Sequence, residues 1–589
     1  MAYFIFSVVL VLVFIAFNYF VEKPSTKSEW ALVIVLALVI GGAFHAINYF
    51  AAPTLALNCS TIYVETVIFA VMAIITANVR TEELLDNPVI AGAFWGTITA
   101  VVLLLGAWLY TWDFFHTSKQ QKLLNVENVV DIRTTDTVGT RVFSPIPVEK
   151  MCLNPAEVIK RKYLNQAGDL KNTYELGDLT KQSVTVHCDI ETMDGKKIRL
   201  DYDNQLMYVG ILEHKGFLTW AKHPWSPAYV LADAASGETY IVHKVNGEEL
   251  KIKYTPGARL NCDLERHLRF NGYTDTILDD FNVEIDENGR PFAPVTTMKH
   301  IVGLSTRQVT GVAVVDIQTG DIKWYTPQNA PAFVNRIYPE DVVYERIRNW
   351  GEYPNGYFHW TNNAGLLQPC DGMDIVQTSN GCCYYVGIQA KTGTFDTEGY
   401  MLIDIRTGIA TYYKRDGISE TEAIKVLTTN TYKNISLQVN DSILYLTEPI
   451  YYNIEGMNTF FATFVANADK TIKYYAFCSA DSKEVVGVGE NLEEAKAAYI
   501  ASYHKHIATN ASKFQTADKR KEVTITANVL EKVQEGNAYY FRLEGQEGKT
   551  FYAYSSIISE VRWSANKVEI TYNMTDSKTI AISSYKVVQ

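Results

Sequence analysis

Four long apolar runs occupy the first part of the chain: Tyr3 to Phe20, Ala31 to Ala52, Thr61 to Val79 and Val89 to Trp112. Each has the length a helix needs to cross about 30 Å of hydrocarbon. Pro53 and Pro88 fall at run edges, where a helix can stop without stranding backbone groups in lipid. The first run lacks the basic start and small-residue cleavage site of a signal peptide and reads as a retained helix. Four spans put both ends of this region on one side of the membrane.

Beyond Trp112 the period changes. Residues 113–150 are polar and mixed, a connector. From 151 onward, alternating or short apolar runs such as SVTVHCDI, KKIRLDY and QLMYVGIL read as strands. One hairpin design recurs. In GVAVVDIQTGDIKWY an apolar strand runs into Asp316, Thr319 and Gly320 and leaves as a second strand. The aspartate caps backbone N–H groups, and the glycine supplies the left-handed conformation that reverses the chain. Asp233 with Gly237, and Asp404 with Gly408, stand in the same frame. KYYAFCSADSKEVVGV is a degenerate fourth copy with Asp481 and Lys483 but no turn glycine. Such self-similarity predicts repeated units of β-hairpin plus helix.

Helical spacing is confined to short stretches: 154–164 behind an Asn-Pro start, 260–272 ending in Asn-Gly, and two helices split at Pro339 within 331–353. Ser419 and Glu422 form a capping box for 419–427, and 492–506 is a last helix. Residues 508–521 are a charged, small-residue linker. Five short strands in 522–589 fit a small barrel of OB or SH3-like type. The predicted division is therefore a four-helix transmembrane region (1–112), a connector (113–150), a first α+β unit (151–275), a central unit (276–350), third and fourth units (351–507), the linker and the barrel.

Composition removes some classes of function. The chain carries 53 Lys and Arg against 65 Asp and Glu, a net charge of −12 without a basic patch, which argues against nucleic acid as a partner. Charge also bears on orientation. Lys23, Lys27 and Arg80 fall in the first and third loops, and Lys119 and Lys122 follow the fourth span, so the positive-inside balance is close to even. The uncharged N-terminal tail favours an extracytoplasmic C-terminal region. Seven soluble cysteines (152, 188, 262, 370, 382, 383 and 478), an odd number that cannot all pair, pull toward the cytoplasm.

Candidate chemistry is thin. The chain holds no CxxC, HExxH, GxSxG or P-loop, and the turn aspartates supply one carboxylate each where calcium needs six to eight oxygens. The densest soluble cationic cluster is Arg266, His267 and Arg269, which could hold a carboxylate or phosphate; the competing reading pairs it with acids such as Asp263 and Glu265. His45 and Glu65 are ionisable residues inside the spans, on adjacent antiparallel helices where they could meet. The bland alternative has Glu65 reaching the interface and His45 bonding a neighbouring helix.

The strand-VVDIQTGDI-strand hairpin beside a helix resembles the PepSY type of envelope domain. More closely, ELGDLTKQ, HKGFLTW, LERHLRF, FNVEIDENGRPF, TGVAVVDIQTGDI and FVNRIYPEDVVYE resemble a group of membrane-anchored proteins of Gram-positive bacteria loosely labelled colicin V production-like, which also finish in an OB-like barrel. The likeness covers roughly 150–585, most specifically 210–345; four spans and seven soluble thiols depart from the group's pattern. It implies architecture and address and transfers no catalytic residue. The expectation is a multi-pass membrane protein with a mainly β, α+β soluble region of PepSY-like units and a terminal barrel. Its expected role is that of a non-enzymatic cell-envelope scaffold, anchored in the lipid bilayer and binding protein partners or itself, without cofactor or metal. The alternatives are a regulator or sensor acting on an envelope protease or small ligand, and a transporter component using Glu65 and His45.

Overall fold

The computed structural model describes residues 2–588 except 82–85, 132–145, 355, 357–364, 371, 392–396, 430, 433–434, 437–442, 455–456, 518–521, 536–537, 547, 555–557, 559–564 and 574–578. Parts of the predicted connector and linker lie outside the described residues. Four apolar helices long enough to cross a membrane open the chain: α1 (Ala2–Val21), α2 (Lys27–Ala51), α3 (Ser60–Thr81) and α4 (Pro88–Tyr110). Their starts follow from local chemistry. Thr26 caps α2 by accepting from Glu29 N, and Asn87 caps α4 by accepting from Val89 N and Ile90 N, with Pro88 at the first position. Phe14, Phe44 and Phe69 interlock α1, α2 and α3, and α1 rides against Gly41, where a Cβ would lie 2.2 Å from Val11 Cγ2. Helix α4 is the outlier, with Ile90 its one buried residue among those described.

The soluble region is mainly β. The first sheet contains Thr180–Thr192, Lys197–His214, Tyr229–Asp233 and Thr239–Val245, and these four strands close on themselves because Lys197–His214 pairs with both Thr180–Thr192 and Tyr229–Asp233. The second sheet centres on Pro291–Val302 and Ser305–Asp316; it shares a core with the first through Val186, Ile211, Val295 and Val315. The third holds Gly381–Ala390, Thr397–Asp404 and Ile409–Lys414. The fourth is built around Met457–Ala466 and Ile472–Ser479 and packs on the third through Tyr385, Tyr400, Tyr451 and Phe460. A closed five-stranded barrel with its own core ends the chain, its strands taken in the order 522–535, 538–543, 550–554, 579–587 and 567–573. The connector contributes α5 (Asp113–Gln121) and a strand, Asn125–Asp131, that joins the third sheet in parallel with Ile409–Lys414.

Three hairpin turns share one hydrogen-bond pattern. Oδ1 of Asp233 accepts from the N–H groups of Ala235 and Ser236, Oδ1 of Asp316 from Gln318 and Thr319, and Oδ1 of Asp404 from Arg406 and Thr407, all at 2.7–3.2 Å. Gly237, Gly320 and Gly408 sit at φ +69°, +87° and +71° and donate to the carbonyl of the turn aspartate at 2.8 Å. The next carbonyl in each turn accepts two consecutive N–H groups from a segment that leads into a helix. Leu153 and Asn154 donate to Ala234, Lys253 and Tyr254 to Ile317, and Ile337 and Tyr338 to Ile405, at 2.8–3.1 Å. Each hairpin is thus gripped by the entry to the helix that precedes it in sequence: Ala156–Gln166, Leu264–Phe270 and Glu340–Glu352. The equivalent turn of the fourth sheet is Ala466–Thr471, where Lys470 takes the glycine position at φ +50° and donates to Ala466 O at 2.9 Å. Asp481 and Lys483 belong instead to the following connection.

Two predicted elements differ. Residues 331–338, before Pro339, form a turn and irregular loop rather than a helix, because Ile337 and Tyr338 bond the Ile405 carbonyl and Arg406 grips the carbonyls of Ala330, Pro331 and Val334. The last long helix runs Leu492–Ala517, into the stretch read as linker.

Candidate functional site

The cationic cluster lies where the soluble region meets the bundle. Asp263 caps Leu264–Phe270 by accepting from Arg266 N, and the helix then aims its cations at the end of α2. Arg266 Nε donates to Tyr49 O at 2.8 Å and Nη2 to Phe50 O at 3.4 Å, with the guanidinium 5.1 Å above the Tyr49 ring. These carbonyls carry the partial negative charge of a helix C-terminus, a natural seat for a cation. Arg269, with its side chain 3% exposed, donates to Tyr273 O and Thr276 O, to Thr54 Oγ1 at 3.0 Å, and to Glu265 at 3.0 Å. His267 Nε2 bonds Gly320 O at 2.7 Å, tying the helix to the central hairpin turn. Leu55 N donates to Thr274 O, Tyr3 OH to Pro53 O, and Asn58 and His300 exchange two bonds. Arg266 and Arg269 are therefore engaged in a clamp on the end of α2 and the α2–α3 loop, while His267 holds their helix to the central hairpin. A second attachment joins Lys119 to Ile301 O and Gln120 to Thr306 near the end of α4.

Inside the bundle, Glu65 accepts from Asn48 Nδ2 at 3.1 Å, while the His45 ring stands edge-on to Phe4 with its Nδ1 unpartnered. The carboxyl's hydrogen bond comes from Asn48, one turn along α2 from His45. The turn residues Asp233, Asp316 and Asp404 hold separate hairpins and share no common centre, and no group of three His, Cys, Asp or Glu with metal-site spacing exists among the described residues.

A polar seam that the sequence pattern did not single out joins the first, second and third sheets. Lys181 pairs with Asp374 across two sheets, its ammonium 5.8 Å over the Tyr208 ring, and Cys152 Sγ lies 3.5 Å from Tyr208 Oη. Arg336 pairs with Asp280 at 2.5 Å and also meets Asn282. Glu284 is fully buried and accepts from the N–H groups of Asn335 at 2.6 Å and Arg336 at 3.0 Å. Burial pushes its carboxyl up to about 7, against the pull of those two N–H groups and the Arg336 charge. Two cavities of about 610 and 470 Å³ flank the seam and share Arg336 and Glu340 in their walls. Each wall includes an ion pair made within the chain, Arg336 with Asp280 in the first and Lys181 with Asp374 in the second, the pattern of an internal fastening. Glu284 sits between Val283 and Ile285 in a short apolar run, and Lys181 alternates with buried Thr180 and Gln182, so neither has a local signature.

No protein-family model matches the chain, and no curated protein matches it. Among solved structures, a point mutant of the Synechocystis apocarotenoid oxygenase aligns with 51% of this chain at 13% identity; the chain spans 59% of that protein's length, with a TM-score of 0.14, too low to carry an argument about fold or activity.

Proposed function

We propose that this is a membrane-anchored interaction protein of the cell envelope, which presents a stiff β-rich body to protein partners. One observation carries the reading: the connector strand Asn125–Asp131. It is the outermost strand of the third sheet, pairs on one side with Ile409–Lys414, and faces no described strand on the other. Val129 and Val130 on it are 55% and 37% exposed. An edge beside which no described strand lies, with exposed β-branched residues, suits addition of a partner's strand. Finer readings of the fold rest on the same molecule. The shared turn docking supports PepSY-like units, and the barrel's strand order with its parallel pair 550–554/579–587 supports an OB type. For orientation we favour an extracytoplasmic soluble region, since Lys23, Lys27 and Arg80 all lie at the opposite end of the bundle.

A photo-crosslinking residue at Asn128 in the full chain, in cells, tests this. A discrete protein adduct that disappears in V129K/V130K supports strand addition; a yield unchanged by the two lysines, or no adduct, overturns it. The clamp favours a second reading, a regulator whose bundle and soluble region report on each other. That reading predicts that an Arg266→Ala and Arg269→Ala double variant alters partner binding at Asn128 without touching the edge strand.

A further inference from the structure

An exposed apolar patch stands beside the clamp. Gly216, at φ +105°, opens a single-turn helix, Phe217–Lys222, whose Trp220 turns inward onto Ala258 and Cys262. The helix leaves Phe217 and Leu218 outward at 53% and 76% exposure, joined by Trp225 at 42% and Leu260 at 40%. The platform under Trp220 is fixed to the end of α2. Asn261 Oδ1 accepts from Tyr49 OH at 2.7 Å, and Leu260 O accepts from Arg266 Nη1 at 2.6 Å while Arg266 holds the Tyr49 carbonyl. Tyr49 is in the last turn of α2, at the end of its apolar run. Exposed Phe50 and Leu57 mark the same level on the bundle, and Trp108, Tyr110 and Trp112 mark it at the end of α4.

We propose that Phe217–Lys222 lies in the interfacial zone of the same bilayer that α1–α4 cross, with Phe217, Leu218 and Leu260 dipping below the headgroups. Three features favour lipid as the occupant. The segment on which Trp220 packs, which carries Leu260, is bonded to the end of an apolar helix long enough to cross a membrane. The patch's Phe, Leu and Trp residues are those of the apolar face of helices that lie in the interface. Exposed Lys222 and Arg259 flank it, as bases flank helices that lie on membranes. The first α+β unit would then be held by lipid beside the clamp, in addition to the clamp itself and the attachment through Lys119 and Gln120.

The test uses the full chain in nanodiscs of phosphatidylcholine and phosphatidylglycerol. Nitroxide spin labels at Leu218→Cys, and at Met193→Cys on a hairpin tip of the same sheet, are compared by power-saturation EPR, with labelled wild type as background. The expected result is an oxygen-to-nickel accessibility ratio several-fold higher at 218 than at 193, and the same excess at Phe217→Cys. A nickel-accessible label at 218, equal to that at 193, overturns the proposal. So does a label shielded from both reagents, the signature of a partner protein or a second copy.

Discussion

At the scale of single residues, the positions that decide this molecule are charged groups facing carbonyls and carboxylates inside the chain. Arg269 is the clearest case, a buried guanidinium shared between Tyr273 O, Thr276 O, Thr54 and Glu265. Arg269→Ala leaves those acceptors without their donor, and the expected loss is about 3 kcal/mol in thermal unfolding, with new proteolytic cleavage in the 52–59 loop. Arg266→Ala, at a half-buried site, should cost about 1 kcal/mol. Equal losses at both positions would contradict the clamp geometry. Glu284 makes a prediction in pH. Its carboxyl titrates near 7 when folded, above the ordinary value of 4.5, so the unfolded chain gives up this proton first as pH rises. Its contribution to stability is greatest below the unfolded value, falls by about 3 kcal/mol between 4.5 and 7, and is level above that. Melting of Glu284→Gln across pH 4.5–8 should show a flatter slope than wild type. A slope unchanged by the substitution assigns the effect elsewhere.

The element that matters most is the five-residue turn with the helix entry docked on it. Two demands fall on the turn glycine: left-handed backbone, and room for a side chain of the docking segment. A Cβ at Gly408 would lie 2.6 Å from the Tyr338 ring, and one at Gly320 would lie 2.7 Å from Tyr254. Gly408→Ala should therefore cost about 2–3 kcal/mol, since strain and overlap add. Ala466–Thr471 runs the opposite way. Lys470 already holds φ +50°, so Lys470→Gly should stabilise by roughly 0.5–1 kcal/mol. Denaturant unfolding of both variants checks the pair. The same sign at both sites would mean that the turns are not equivalent. Glycine at three turns could be read from the chain because a left-handed position selects it. The lysine that replaces it carries no such mark, so the Asp481 stretch looks like the motif although the working turn is Ala466–Thr471.

For the whole molecule, the consequence is a soluble body tied to its bundle at two places rather than hung from one flexible stalk. Helix α5 follows α4 directly and Gln120 bonds Thr306, while the clamp holds the α2–α3 loop. Both attachments lie at the end of the bundle that carries the N-terminus, as four antiparallel spans require. Orientation then reduces to one question, answered by thiol labelling of Met193→Cys, a 38% exposed position. A membrane-impermeant maleimide should label it in intact cells to the extent seen in lysates. Labelling in lysates alone would place the body in the cytoplasm.

The chain's own pattern determined the elements that depend on short stretches of sequence. Four apolar helices long enough to cross a membrane follow from continuous apolar length, the β-rich body from alternation, the helix Glu420–Thr428 from its Ser419 cap, and three turns from Asp and Gly at set spacing. The partners that these elements choose were decided only by tertiary structure. Nothing in NVENVVD names Ile409–Lys414 as its neighbour, and nothing in LERHLRF says that its arginines face helix carbonyls rather than a ligand. The physical reason is one of range. Helix, strand and turn preferences act over a few residues, whereas the pairing of Lys181 with Asp374, or the burial of Glu284, depends on which surfaces meet after distant segments close together.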